Sequence, residues 1–182
     1  MEQANYNPEI PANKRNVIGL EKGKLPPQAV DLEQAVLGAM MIDKKGLDEV
    51  IDILTPQVFY RPEHQAIYAV IQKLFNDSEP IDLLTVANEL KSEGKLDRVG
   101  GDYYLIQLTQ KVSSSAHVEY YARVIQEKYI LRRLIEISNQ VIEKSYDDTA
   151  DVFDLLDYSE SKLFEITEGG IKRSYSEARD LV

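Results

Sequence analysis

The sequence predicts an all-α fold, a compact helical head of about five to six short helices followed by a projecting antiparallel αα-hairpin. Three observations predict it. Apolar residues recur at offsets of three, four and seven along most of the chain, and no convincing β-α-β alternation interrupts them. Proline, glycine and capping aspartates punctuate the first part at short intervals. From Val118 to about Tyr146 that punctuation stops, and apolar residues fall on more than one face of a single helical pattern.

Residues 1–25 mix Pro8, Pro11, Gly19 and Gly23 with polar residues and show no period, which predicts a flexible arm or a strap ordered only by a partner. Order is expected from Pro26-Pro27. Asp31 with Gln34 three positions on has capping-box spacing, and Leu32, Ala35, Val36, Ala39 and Met40 form one stripe, with Gly38 suited to close packing. After Asp43, Leu47, Val50, Ile51 and Leu54 mark a second helix that ends at Thr55-Pro56, because a residue before proline avoids the helical region. Val58 to Pro62 is a turn with aromatic anchors, and Pro62 suits the first turn of a third helix lined by Ile67, Val70, Ile71 and Leu74.

Asp77 to Pro80 stops that helix. Asp82 then caps a fourth, with Leu83, Val86, Ala87 and Leu90 inward and Gly94 closing it. Gly100-Gly101 is a tight joint leading to Tyr104, Leu105, Leu108 and Val112, and one of Ser113 to Ser115 is expected to cap the long helix. A helix from about 117 to 145 would be roughly 40 Å long, so it must project from a small head. Asp147 to Thr149 is a turn, and Asp151 with Asp154 forms a capping pair. Val152, Leu155, Leu156, Leu163 and Ile166 form the expected seam of a returning helix, ended by Gly169-Gly170. Ser174 and Glu177 open what reads as another helix that stops after one turn, as expected for a piece of a longer protein. The expected organisation is an arm over 1–25, a head over 26–115, a hairpin over 116–168 and a linker over 169–182.

Composition narrows the function. A chain of 182 residues, 43% hydrophobic and 29% charged, is an ordinary globular domain with appendages. Its net charge of −10 gives little long-range attraction for nucleic acid. There is no cysteine and no signal-like leader, which leads to the expectation of a soluble cytoplasmic protein. His64 and His117 are the only histidines and stand in no HExxH or similar spacing, so each is expected to cap a helix, to lie on the surface or to bond between helices. Gly100-Gly101 lacks the GxxxxGK[ST] pattern of a phosphate loop. No catalytic, cofactor or metal residue is predicted.

The doubly apolar long helix instead predicts assembly, since a second apolar stripe must be covered by something. Tyr121, Ile125, Tyr129, Leu134, Ile135, Leu155 and Phe164 are the candidates for hairpin packing or subunit contact. Lys128, Arg132 and Arg133 form the basic cluster of that helix, read as ion pairs with Glu127 and Glu136 or as the charged edge of an interface. A helical domain that binds nucleic acid through this cluster and the nearby tyrosines is the alternative.

Pro26-Pro27 followed by Asp31 to Gly38 resembles the opening of the N-terminal domain of bacterial replicative DNA helicases of the DnaB type. Phe59 to His64, Gly100-Gly101 with Tyr104-Leu105, Tyr121-Ala122 before Ile125, Leu131 to Ile135, and Leu163-Phe164 continue the likeness in order over about residues 25–168. Residues 1–24 lie outside it. The resemblance implies a ring-shaped, ATP- and Mg-dependent hexamer moving 5′ to 3′ on DNA, of which this chain would be the non-catalytic collar with the start of the linker. It implies self-pairing into a trimer of dimers, docking of the primase C-terminal domain, a helicase loader as a further partner, and weak or no direct DNA binding. The ATP site would belong to a motor domain outside this sequence.

Overall fold

The computed structural model describes residues 24–112 and 116–170. Among these residues the fold is all-α, with no strand: α1 (Val30–Ile42), α2 (Lys44–Val50), α3 (Pro62–Asn76), α4 (Leu83–Ser92), α5 (Gly101–Gln110), α6 (Val118–Ser145) and α7 (Val152–Gly170). Short 3-10 turns, Pro56–Val58 and Asp97–Val99, precede α3 and α5. Helices α1 to α5 and the first half of α6 enclose one core, and α7 returns along the second half of α6.

Local chemistry accounts for most boundaries. The Asp43 carboxylate accepts the Lys45 N–H at 3.0 Å at the start of α2, and Pro62 opens α3. Asp82 and Thr85 form a reciprocal box at α4, with the Leu84 and Thr85 N–H groups at 2.8 and 2.9 Å from the Asp82 carboxylate. Those bonds, the one from Thr85 first, hold the Asp82 carboxyl below its ordinary range. Gly94, at φ +66°, ends α4 with the paired bonds Gly94 N–H to Lys91 O and Lys95 N–H to Leu90 O, which require a left-handed residue. Asp151 caps α7 through the Phe153 and Asp154 N–H groups.

The start of α1 departs from the expected capping box. Ala29 is the N-cap, its carbonyl accepting from Leu32 and Glu33, so Asp31 already lies inside the first turn and cannot reach back. Its charge still complements the positive helix end. Gln34 reaches across to α5 instead. The expected single stripe of α1 is also too narrow: Glu33, Leu37 and Met41 are buried as well, because α2, α3, α4, α5 and α6 all pack against this helix. Ser113 to Ser115 lie outside the described residues, and His117, without a side-chain capping bond, holds the N-cap position of α6. The arm up to residue 23 and the Ser174/Glu177 box also lie outside them.

One polar chain runs through the head. Lys111 Nζ, which can only donate, bonds Gln34 Oε1, and this turns Gln34 Nε2 toward Tyr104 Oη at 3.1 Å. The Tyr104 hydroxyl meets His64 Nε2 at 2.7 Å, and on the other side of the ring His64 Nδ1 lies 2.6 Å from Glu33 Oε2, where its N–H donates to the carboxylate. Glu33 also accepts the Tyr60 N–H at 2.7 Å and the Arg61 N–H at 3.4 Å. His64 is therefore an interhelix hydrogen-bonding residue, joining α3 to α1 and α5. Both His64 and Glu33 are buried, and among the described residues no buried side-chain nitrogen or oxygen is left without a hydrogen-bond partner.

Replacing Glu33 by Ala strands the buried His64 Nδ1–H and two partly buried backbone N–H groups and is expected to lower unfolding stability by about 2–5 kcal/mol in urea titrations, with Glu33→Gln losing less because one acceptor remains. Gly38 is a separate constraint. A Cβ there would stand 2.1 Å from the Leu108 carbonyl oxygen and 2.7 Å from Val112 Cγ2, so α1 and α5 would have to separate. Gly38→Ala is expected to cost about 1–3 kcal/mol in the same titration, although alanine favours helix.

Candidate interaction surface

The two halves of α6 have different surroundings. Val118, Ala122 and Ile125 belong to the head core, and Tyr121 and Tyr129 pack partly against it. Ile137, 3% exposed, is buried apart from that core, in the stretch that α7 covers. There Tyr158 Oη donates to Gln140 Oε1 at 2.6 Å, and Lys144 Nζ lies 4.8 Å from the Tyr158 ring centre.

The expected seam of α7 is shifted by one face. Leu155, Tyr158, Ser159, Lys162 and Ile166, at offsets of three and four, are the half-buried side chains along α6. Val152, Leu156 and Leu163 lie on the neighbouring stripe and point outward. Leucines stand on both stripes, so the sequence pattern alone did not separate them. With Phe153 and Phe164 they leave five large apolar side chains of α7 between 49 and 76% exposed, and Leu131 and Ile135 on α6 add 45 and 42%. In a chain this acidic, these exposed apolar side chains make the two packed helices the candidate interaction surface.

The predicted residues divide accordingly. Ile125, at 1% exposure, is core and has no surface to offer a neighbour. Tyr121, Tyr129, Leu134 and Leu155 are half-buried, whereas Ile135 and Phe164 face solvent. Sequence reasoning missed Leu131, Val152, Phe153, Leu156 and Leu163 as outward candidates. The available signal was that α7, like α6, carries apolar residues on two adjacent stripes.

The basic cluster is largely engaged within the chain. Arg132 donates to the Pro27 carbonyl at 2.8 Å and the Val58 carbonyl at 2.6 Å, and its guanidinium lies 5.5 Å from the Tyr60 ring centre and 5.7 Å from that of Tyr129. This replaces the expected helix-face ion pair. Burial lowers the Arg132 pKa from its ordinary value, and the charge of Glu33 opposes that shift. Arg133 pairs with Glu136, and Arg123 with Glu119 at 2.6 Å. Lys128 is half-buried. The described residues contain no group of carboxylates, histidines or cysteines arranged to hold a metal ion, and no helix long and apolar enough to cross a membrane.

Comparison with known proteins places this architecture. The family model of the DnaB-like helicase N-terminal domain matches residues 25–127. Replicative DNA helicase DnaB of Rhodothermus marinus is 43% identical over 162 residues, a match covering 89% of this chain and 17% of that protein. The DnaB of Geobacillus stearothermophilus is 36% identical over 159 residues, covering 87% of this chain and 35% of that protein. The chain thus spans between about a sixth and about a third of the length of these curated relatives. The crystal structure of the N-terminal domain of DnaB helicase from Mycobacterium tuberculosis matches with a TM-score of 0.73 at 39% identity, covering 78% of this chain and 99% of that one. A solved structure of a DnaB-like replicative helicase and its interactions with primase matches with a TM-score of 0.64 at 28% identity, over 77% of this chain and 31% of that one.

Burial separates the two kinds of hairpin residue. Ile137→Ala is expected to lower thermal stability by about 2–4 kcal/mol equivalent, as a cavity at a closed site. Leu156→Ala, at a site already open to water, is expected to stay within about 0.5 kcal/mol when followed by circular dichroism at a concentration where the chain is monomeric.

Proposed function

The chain belongs to the family of DnaB-like helicase N-terminal domains, and from that premise we propose that it is the non-catalytic assembly domain of a replicative DNA helicase. Copies pair through the hairpins and build the collar of a ring, a hexamer arranged as a trimer of dimers, during DNA replication. The observation that carries this reading is the set of large apolar side chains on α6 and α7 that one copy leaves in water. Covering such a surface with a second copy removes it from solvent without any strong field, consistent with a net charge of −10.

The chain matches the N-terminal domain of these helicases and carries no nucleotide-loop motif, so ATP, Mg and DNA translocation belong on this reading to a motor domain of the whole protein. Primase docking on the collar is part of the same proposal, supported by the likeness to the helicase structure described with primase. A helicase loader is the further partner proposed. Direct DNA binding has less support, because Arg132, Arg133 and Arg123 are committed to carbonyls and carboxylates of the chain itself.

Sedimentation equilibrium over a concentration series tests the assignment. The wild-type chain is expected to self-associate, and Ile135→Asp or Leu156→Asp to weaken association by roughly tenfold or more while leaving helicity intact. A strict monomer at high micromolar concentration that also fails to bind primase would sink the proposal. Tight, steeply salt-dependent binding of single-stranded DNA in fluorescence anisotropy would favour the nucleic-acid alternative.

A further inference from the structure

Arg132 stands where the hairpin leaves the head. One turn before it, Tyr129 still packs against the head core, whereas Leu131 and Ile135 on either side of it are exposed. Its two carbonyl partners lie on separate segments, Pro27 in the lead into α1 and Val58 in the turn before α3. The Tyr60 ring of that same turn flanks the guanidinium, while the Tyr60 N–H is held from the other side by Glu33 of α1. The turn is therefore gripped between a buried anion and a partly buried cation on different helices.

A guanidinium suits this place because its planar fork meets two fixed acceptors at once and can lie against aromatic faces. An apolar side chain at the same position would pack but would impose no direction. Past this turn, α6 is a lever roughly 20 Å long, so a small rotation at its root displaces the tip by several ångströms.

We propose that Arg132 is a positioning residue that fixes the angle of the hairpin on the head by fastening α6 to the Pro27 and Val58 carbonyls, and so aims the outward apolar face. The fork, rather than the charge alone, sets the angle. The role is a property of one copy and stands whether or not copies associate.

Having no native cysteine, the chain suits a direct test. Spin labels on cysteines introduced at Lys91, exposed on the head, and Asp148, exposed at the hairpin tip, report the head-to-tip distance by double electron–electron resonance. Dilution with unlabelled chain restricts the signal to a single copy. Wild type is expected to give one narrow distribution, and both Arg132→Met and Arg132→Lys a distribution about twofold broader, with the cooperative thermal transition of the head retained. An unchanged distribution in Arg132→Met would overturn the proposal. So would a wild-type distribution in Arg132→Lys, which would mean that charge suffices, or loss of the cooperative transition in both variants, which would make Arg132 a general stability residue.

Discussion

The head depends on satisfying a carboxylate that lies almost wholly out of water. Glu33 would be prohibitively costly there alone, and the surrounding architecture supplies what it needs: the His64 Nδ1–H, the Tyr60 N–H and the Arg61 N–H all converge on it. These donors come from α3 and the turn before it, so α3 has to start where Pro62 starts it. The same requirement fixes α5, because His64 Nε2 is occupied by Tyr104. A side chain on α1 thus registers two other helices, a degree of specificity that apolar packing alone does not provide. Gly38 contributes the complementary steric constraint, letting the backbones of α1 and α5 approach closely.

Head and hairpin are in contrasting states of completion. Every large apolar side chain of the α1 interior is closed off, with Val36, Leu37 and Met40 at 1% exposure or less. The hairpin closes off Ile137 but leaves Leu131 and Ile135 of α6 and five large apolar side chains of α7 open. Two helices have too little mutual surface to bury two stripes each, so within one copy the second stripe of each stays in water. The proposed pairing of copies answers that deficit, and Arg132 would keep the open face at a defined angle.

Charge and apolar surface divide the tasks. Ion pairs such as Lys73 with Glu89, Arg133 with Glu136 and Lys162 with Glu165 lie at or near the surface and contribute modestly to stability. They also occupy cations that a nucleic-acid surface would need free. An assembly held mainly by apolar burial is correspondingly insensitive to salt, as a collar around a polyelectrolyte would require on the proposed reading.

The sequence by itself determined the helical class, the approximate positions of the helices and the starts of α3, α4 and α7. Pro62, Asp82 and Asp151, like Gly94 at the end of α4, act within a few residues of where they stand, so their chemistry is written locally. The long unbroken α6 and its excess of apolar faces were legible for the same reason, and motif order carried the family likeness. Only the tertiary structure decided that Gln34 bonds Tyr104 seventy positions away, that His64 faces Glu33 across thirty-one, and that Arg132 grips a carbonyl one hundred and five positions back. It also decided which leucines of α7 face outward, since adjacent stripes on a helix differ by a rotation that periodicity leaves free. A helical period records that a residue has an inner face; which neighbour occupies that face depends on how the whole chain packs.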